Sequence, residues 1–201
     1  MPRPSSPASA ARRPPPREVR IIGGLWKRTR LPVADKPGLR PTPDRVRETL
    51  FNWLGQDLAG WRCVDAFAGT GALGFEAASR GAAEVLLVEQ DPELVATLRG
   101  LKAKLSAEAV QVRRANALTV LKDLSGSAQD LVFLDPPFDA DLFDKAMAAA
   151  VPALREDGWL YLEAPHAFTE AALQPHGLRL ERHARAGAVH AHLLARAAGA
   201  P

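Results

Sequence analysis

The stretch Asp65-Ala-Phe-Ala-Gly-Thr-Gly-Ala-Leu-Gly74 carries three glycines in a G-x-G-x-x-G pattern. It begins inside a short apolar run, Cys63–Ala66, and leads into a segment of helical character, Leu73–Arg80. Glycine lets the backbone turn tightly and approach a ligand beside a helix N-terminus. The pattern alone also fits an ordinary strand-to-helix turn. Its position between a strand and a helix favours a nucleotide-binding turn.

Short apolar runs alternate with helical segments from residue 61 onward. The predicted strands are Cys63–Ala66, Val85–Glu89, Val110–Arg114, Leu131–Asp135 and Trp159–Glu163. The predicted helices are Leu73–Arg80, Pro92–Leu105, Ala117–Leu124 and Leu142–Leu154. Alternation of this kind builds βαβ units around a mostly parallel sheet, so we expect an α/β fold. Two further runs, Leu178–Ala184 and Val189–Ala195, predict an antiparallel C-terminal hairpin at one edge.

The chain before residue 59 has a different character. Residues 1–17 are rich in Pro, Ala, Ser and Arg without periodicity, which predicts a disordered basic arm. The segment from Val19 to Leu31 predicts a β-hairpin around Gly23-Gly24, and Thr42 and Pro43 predict the N-cap and first residue of a helix. We expect an N-terminal hairpin-and-helix element over residues 18–58 and an α/β domain over residues 59–201. The buried face of that first helix is expected to carry Val46, Leu50, Phe51 and Leu54.

Composition and charge limit the class of protein. The 201 residues are 47% hydrophobic and 24% charged, as in a globular domain with its own core, which excludes collagen-like and disulfide-stapled classes. The net formal charge is only +3, but residues 1–47 hold twelve basic and three acidic residues, whereas the remainder has a net charge of −6. A basic N-terminal segment followed by a chain of net negative charge indicates a polyanion-binding element at the N-terminus.

The cysteine and histidine content bears on metals and on the compartment. The single cysteine, Cys63, excludes an internal disulfide and fits a reducing compartment such as the cytoplasm. We expect neither a membrane span nor a secretory signal, because no apolar run is long enough. An organellar transit peptide is an alternative for the arm, although six prolines in the first 16 residues disfavour its amphipathic helix. We expect no metal, since no ligand pattern surrounds His166, His176, His183, His190 and His192.

Two carboxylates and one amide indicate the cofactor. Glu89 ends the next predicted strand, 20 residues beyond Gly69, where a carboxylate can accept both hydroxyls of a ribose. Asp65 would lie near the pyrophosphate of a dinucleotide, but it suits the positive amino group of S-adenosylmethionine. Asn116 follows the third predicted strand and is a candidate either for the adenine edge or for the cap of the next helix.

A second motif, Asp135-Pro136-Pro137-Phe138, follows the fourth predicted strand and faces the same crevice. The prolines fix the backbone and remove two amide donors, which leaves carbonyl oxygens and the Asp135 carboxylate as acceptors. These acceptors suit an exocyclic amine, whose hydrogens they can hold while its lone pair points at an electrophile. Phe138 offers a flat face for an unpaired base. The alternative is a plain Pro-Pro turn with a core phenylalanine.

These two motifs resemble the cofactor loop and the (D/N)PP(F/Y) motif of amino-directed S-adenosylmethionine methyltransferases. Arg20–Gly24 and Leu39–Leu54 are further similar to the bacterial 16S ribosomal RNA guanine-N2 methyltransferases that modify guanine 966. The resemblance runs from about Arg20 to about Ala195 and leaves out the arm, which the family pattern does not require. It implies a seven-stranded class I methyltransferase core, a small N-terminal element, and methyl transfer to N2 of a guanine in 16S ribosomal RNA.

The site residues expected on this basis fall into three groups. The catalytic group is Asp135, Pro136, Pro137 and Phe138. The cofactor-binding group is Asp65, Phe67, Gly69, Gly71, Glu89, Asn116, Ala117 and Thr42. The RNA-binding group is Arg20, Lys27, Arg28, Arg40 and Arg45.

The resemblance places Arg40, Thr42 and Arg45 beside the methionine end of the cofactor or the RNA. The residues alone also fit a solvated helix face. Arg45 and Arg47 are two positions apart and cannot share one helix face, and we expect Arg45 to face the site. The expected partner of this monomeric protein is 16S ribosomal RNA, in the small ribosomal subunit or its assembly intermediate.

Four other functions fit parts of the sequence. An N6-adenine DNA methyltransferase shares the Asp-Pro-Pro-aromatic motif but usually carries a target-recognition domain, for which 201 residues leave little room. Protein glutamine methyltransferases favour Asn where this chain has Asp135. A non-catalytic ribosome-assembly factor would not need the set of glycines and carboxylates described above. A nicotinamide-dependent oxidoreductase would need catalytic donors near the crevice, and the sequence offers none.

Overall fold

A computed structural model describes residues 18–36, 42–138 and 142–197. The predicted arm, residues 1–17, and Arg40 lie outside these residues. A two-stranded antiparallel hairpin, β1 (Glu18–Arg20) and β2 (Arg30–Pro32), precedes helix α1 (Asp44–Trp53). The other strands are β3 (Arg62–Asp65), β4 (Glu84–Glu89), β5 (Val110–Arg114), β6 (Gln129–Leu134), β7 (Leu154–Ala164), β8 (Leu178–Ala186) and β9 (Val189–Arg196). The other helices are α2 (Ala72–Ser79), α3 (Pro92–Lys104), α4 (Ala117–Asp123), α5 (Phe143–Ala150) and α6 (Glu170–Leu173).

The sheet has seven strands in the order β5-β4-β3-β6-β7-β9-β8. Strands β3 to β7 run parallel, and β9 and β8 pair antiparallel at one edge. The predicted α/β fold with an antiparallel C-terminal hairpin is confirmed. The chain order reverses at β3, because β4 lies on one side of it and β6 on the other. The carboxyl end of β3 is therefore the switch point at which open α/β sheets bind ligands.

Helices cover both faces of this sheet, which explains the continuous apolar strands. Every residue of β6 is buried. One core unites apolar residues of α1, α2 and α3 with one face of the sheet, and the other unites those of α4 and α5 with the opposite face. Among the described residues, no helix is long and apolar enough to cross a bilayer.

The predicted start of helix α1 is wrong by one residue. The N-cap is Pro43, which makes no side-chain capping bond, and not Thr42. The Thr42 side chain is engaged elsewhere, in a hydrogen bond with Glu163 at the end of β7. A tertiary contact has therefore replaced the local cap that the sequence favours.

The predicted end of α5 is also wrong, since Leu142–Leu154 divides into three parts. Helix α5 stops at Ala150, a single 3₁₀ turn spans Val151–Ala153, and Leu154 already belongs to β7. Pro152 lies in that turn and has no backbone N–H with which to continue an α-helix.

The carboxylate of Glu76 holds the N-terminal element on the sheet. It is fully buried and accepts hydrogen bonds from the backbone N–H groups of Ile22 (2.7 Å) and Gly23 (2.8 Å). It also pairs with the guanidinium groups of Arg47 (3.2 Å) and Arg80 (2.8 Å). Arg47 is itself fully buried. Two cations and two amides thus converge on one anion, which compensates the cost of burying these charges.

A close backbone approach fixes the hairpin loop against the same helix. The Leu25 N–H donates to the carbonyl of Ser79 (2.7 Å), and the Ser79 hydroxyl donates to the carbonyl of Gly23 (2.6 Å). Gly24 has a φ of +72°, and a Cβ there would lie 1.8 Å from the Ser79 carbonyl oxygen. Only glycine fits this position, which explains one of the two glycines in the predicted hairpin.

We expect Glu76→Ala to lower the free energy of unfolding by about 3–5 kcal/mol, because it leaves the buried Arg80 without its carboxylate partner and the buried Arg47 with Asp44 alone (2.6 Å). Urea denaturation followed by circular dichroism measures this loss. Glu84→Ala is the matched control, since Glu84 pairs with Arg62 on the exposed surface and should matter far less. Equal losses in the two variants would contradict the role given to Glu76.

Candidate active site

Three carboxylates meet at the carboxyl ends of adjacent strands. Asp65 ends β3, Asp135 follows β6 directly, and Glu163 lies near the end of β7. Strand register brings them together, because Asp65 pairs with Phe133 on β6 and Phe133 pairs with Tyr161 on β7. Asp65 and Glu163 are buried, and Asp135 is half-buried. We call these three residues the carboxylate cluster.

The cluster makes its own ionisation difficult. Burial raises the pKa of Asp65 to about 7, and the nearby Glu89 and Glu163 carboxylates add to this effect. Burial also raises the pKa of Asp135 well above its ordinary range, reinforced by the charges of Glu163 and Asp65. The carboxyl ends of β3, β6 and β7 therefore favour binding of a cation or of N–H donors, either of which relieves the repulsion between the carboxylates.

The predicted glycine turn connects this cluster to helix α2. The Gly74 N–H donates to Asp65 Oδ2, and the Gly69 N–H donates to Glu89 Oε2, each at 3.0 Å. Gly71 has a left-handed φ of +76°, and a Cβ on it would lie 2.6 Å from the Leu98 side chain. The turn therefore needs glycine at this position both for its backbone conformation and for its packing.

Glu89 is held at the end of β4 by backbone amides. Besides Gly69, its carboxylate accepts from the N–H groups of Gln90 (2.8 Å) and Asp91 (2.9 Å). Asp91 in turn caps α3 and forms an ion pair with Lys36 (2.6 Å). Glu89 is only half-buried, so a fixed carboxylate is presented beside the glycine turn.

Asn116 caps helix α4, one of the two roles that the sequence left open. Its Oδ1 accepts from the Thr119 N–H at 3.2 Å. The side-chain NH₂ keeps its donors, so an adenine contact through that nitrogen stays a prediction. Ala117 begins α4 and is buried, and Phe67 is half-buried against the core between the sheet, α4 and α5.

The Asp135-Pro136-Pro137-Phe138 motif presents its aromatic ring outward. The Phe138 residue is 40% exposed, and its ring centroid lies 6.3 Å from that of Phe143. Pro136 is buried and Pro137 is exposed. Phe138 is therefore no core residue, and its ring is open to a planar ligand beside Asp135.

Two residues of this site, Glu163 and Arg47, were not predicted from the sequence. Glu163 accepts a hydrogen bond from the Tyr161 hydroxyl (2.8 Å) and another from Thr42, and the charge of Arg47 lies close to it. The Arg47 Nε also donates to the Thr42 carbonyl (3.2 Å). Glu163 ends a predicted strand just as Glu89 does, which is the signal that would have identified it. Arg47 carried no such signal, because a buried cation is recognised only by its partners.

The predicted RNA-binding residues that the structure describes lie on the surface. Lys27 and Arg28 are exposed in the loop between β1 and β2, and Arg20 is exposed and paired with Asp44 (2.8 Å). Arg45 is exposed on the side of α1 that adjoins Ala184–Ala186 of β8. Their contact with RNA stays a prediction.

Comparisons with known proteins point to one family. The family described as "Conserved hypothetical protein 95" matches residues 19–195. The chain is 46% identical over 147 residues to "Ribosomal RNA small subunit methyltransferase D" of Escherichia coli strain K12, covering 73% of this chain and 72% of that protein. It is 45% identical over 148 residues to the protein of the same name from Haemophilus influenzae, covering 71% and 74%. The solved structure described as "Putative methyltransferase yhhF from Escherichia coli" is similar, with a TM-score of 0.77 at 40% identity over 90% of this chain and 99% of that one.

The raised pKa of Asp65 should make the free energy of unfolding depend on pH. Between its ordinary value of 3.8 and about 7, the folded state binds a proton that the unfolded state has lost, so stability falls as pH rises through this window. Asp65→Asn removes this titration, and we expect a smaller fall between about pH 4 and pH 7. Urea unfolding across that range measures it.

Asp123→Asn is the control for this measurement, because Asp123 is exposed and pairs loosely with Arg113 (3.6 Å). We expect its pH profile to follow that of the parent protein. A profile of Asp65→Asn that also matches the parent would show that Asp65 ionises as freely as an exposed carboxylate.

Proposed function

This chain belongs to the family of bacterial small-subunit ribosomal RNA methyltransferases, and we propose that it methylates the exocyclic N2 of a guanine in 16S ribosomal RNA, of the guanine 966 type. The methyl donor is S-adenosylmethionine. The observation that supports the target most directly is the Asp135-Pro136-Pro137-Phe138 motif, which puts a carboxylate, a donor-free backbone and an outward ring at the switch point of the sheet.

The residues at the ends of β3, β4 and β5 fit S-adenosylmethionine. Glu89, fixed by three amides, is positioned to accept hydroxyls of the ribose, and Asn116 lies after the next strand, where the adenine belongs. A cationic amino group beside Asp65 would favour the ionised form of that carboxylate, against the effect of burial. When bound, the cofactor supplies an electrophilic methyl group on a sulfonium sulfur.

Asp135 and the Pro136 carbonyl are the acceptors that hold the guanine amine. Two acceptors occupy its two hydrogens, so the nitrogen lone pair is left to face the methyl group. Neither Pro136 nor Pro137 has a backbone N–H that could compete for that lone pair. Phe138 stacks on the base, and catalysis depends mainly on positioning.

The carboxylate cluster also provides the base for the proton that the methylated amine must lose. With S-adenosylmethionine bound, the S–CH₃ bond would break and leave its electron pair on sulfur as the new N–C bond forms. The positive charge would then lie on N2, and Asp135 would accept a proton from it. Because burial, Glu163 and Asp65 raise the pKa of Asp135, it is a stronger base than an exposed carboxylate. Glu163 is buried and bonded to Tyr161, so it acts through Asp135 and not on the base itself.

We further propose that the substrate is presented in the cytoplasm, on 16S ribosomal RNA or on a partly assembled small subunit, and that the enzyme acts as a monomer. The target guanine must leave its stack to reach Asp135. Lys27 and Arg28 in the exposed hairpin loop, together with the basic arm, supply cations for the phosphates around it.

We expect Asp135→Ala to lower methyl transfer by at least about 100-fold while leaving the affinity for S-adenosylmethionine unchanged, because it removes a substrate contact. Incorporation of labelled methyl groups into 16S ribosomal RNA measures the transfer, and titration calorimetry measures the affinity. Asp144→Ala is the matched control, since Asp144 lies on α5 and pairs with His176 on the surface. Undiminished turnover by Asp135→Ala would reject the mechanism.

Deletion of residues 1–17 should weaken RNA binding and flatten its dependence on salt, with cofactor affinity intact. The segment carries four arginines, so the slope of log K against log salt should decrease by up to about 3 if each neutralises a phosphate. A salt titration of RNA affinity for the full and truncated chains measures this slope. Identical slopes would remove the arm from RNA binding.

A further inference from the structure

A continuous series of flat rings leads away from Phe138 to the outer hairpin of β8 and β9. Its members, which we call the ring track, are Phe138, Phe143, His166, Phe168, His183 and His192. The proposed function uses only Phe138.

The inner half of the ring track begins at the motif that follows β6. The Phe138 centroid lies 6.3 Å from that of Phe143, which is 5.9 Å from that of Phe168. His166 stacks on Phe168 with centroids 5.0 Å apart and an interplanar angle of 29°. This part therefore joins α5 to the loop that follows β7.

The outer half crosses onto the antiparallel edge. The His192 centroid lies 5.7 Å from that of Phe168 and 4.9 Å from that of His183. His183 pairs in register with His192, and the next pair on that face joins Arg185 to His190. The His183 and His190 rings are stacked at 5.2 Å and an angle of 21°. The rings thus share one face of the sheet.

Burial divides the ring track into a support and an open surface. His192 is fully buried and neutral, because its Nε2 accepts from the Phe168 N–H (3.0 Å), its Nδ1 faces the Leu162 carbonyl (3.2 Å), and burial lowers its pKa to about 4. Phe138, His166 and His183 are exposed. A fixed ring therefore supports open rings on each side of it.

We propose that the ring track binds the unpaired nucleotides next to the target guanine in the RNA strand, by stacking their bases on His166 and His183. This inference rests on the proposed function, because it extends the position that Phe138 gives to the guanine. Unpaired RNA bases characteristically stack on aromatic and histidine side chains, and such stacking tolerates any base.

The chemistry of the surface favours RNA over a protein partner. Its open rings beyond Phe138 are histidines, which combine a flat face with a polar edge, whereas the core of a protein interface favours apolar and larger aromatic side chains. Arg185 adds a cation on the same face. Its guanidinium donates to the Gly187 carbonyl (3.1 Å) and to no carboxylate among the described residues, which leaves its charge available to a phosphate.

The test uses the full chain and an oligoribonucleotide of 16S ribosomal RNA with the target guanine flanked by unpaired nucleotides. Fluorescence anisotropy at one fixed pH and salt concentration reports the affinity. We expect His166→Ala and His183→Ala each to weaken binding about 5-fold or more, as loss of one stacked base would. His166→Phe and His183→Phe keep a flat ring and should bind like the parent protein. His176→Ala is the control, since His176 pairs with Asp144 outside the ring track.

A second RNA has abasic nucleotides on both sides of the target guanine. It keeps the phosphates but lacks the bases that would stack, so it separates stacking from other contacts. The parent protein should bind it more weakly, and the alanine variants should lose nothing further. Unchanged affinity of the alanine variants for the first RNA, or equal losses with both RNAs, would overturn the proposal. So would phenylalanine variants as weak as the alanine variants. A lowered melting temperature together with parental affinity would also overturn it, by showing that the rings only hold the hairpin.

Methyl transfer by the parent protein to the first RNA separates the two proposals. Absence of transfer together with ring-dependent binding would reject the proposed target and keep the ring track. Methyl transfer together with RNA binding that does not depend on His166 and His183 would keep the proposed target and reject the ring track.

Discussion

The buried carboxylate of Glu76 is the contact on which the arrangement of this protein depends. It joins the hairpin, α1 and α2, because amides of the hairpin and guanidinium groups of both helices share its two oxygens. Arg47 continues the connection to the carbonyl of Thr42, whose side chain bonds Glu163. One ionic network therefore extends from the N-terminal element to the carboxylate cluster. Such a network specifies a single docking geometry, since a small displacement would leave a buried charge unpaired.

The carboxylate cluster shows how function opposes stability at the same edge of the sheet. Three acids lie near one another, and two of them are buried. Above the pH at which an exposed carboxylate ionises, they lower the stability of the folded state. An apolar residue at any of these positions would pack without this cost. The arrangement suits ligands that bring positive charge and N–H groups, as S-adenosylmethionine and a guanine amine do. The aromatic ring of Phe138 lies open beside it for the flat face of the base.

Most of the fold could be predicted from the sequence, because the patterns that mark strands and helices are local. Strand β5 was predicted to the residue and β4 to within one residue, since apolar runs bounded by turns mark strands buried on both faces. The errors occurred where tertiary contacts overrode local preference. Thr42 has the chemistry of an N-cap but bonds Glu163, and Leu154 completes a helical pattern but pairs with Gln129 on β6.

The sequence by itself determined the glycine turn, the Asp135-Pro136-Pro137-Phe138 motif and Glu89, because each is a short pattern whose chemistry is legible from adjacent residues and their spacing. Only the tertiary structure decided that Arg47 and not Arg45 is the arginine beside Glu163, and that Glu163 joins Asp65 and Asp135. It also decided that, of the five histidines from residue 166 onward, two have exposed rings that belong to the same series of ring contacts as Phe138. The physical reason is that burial and partnership of charged or aromatic groups depend on residues distant in the chain, which strand register brings together.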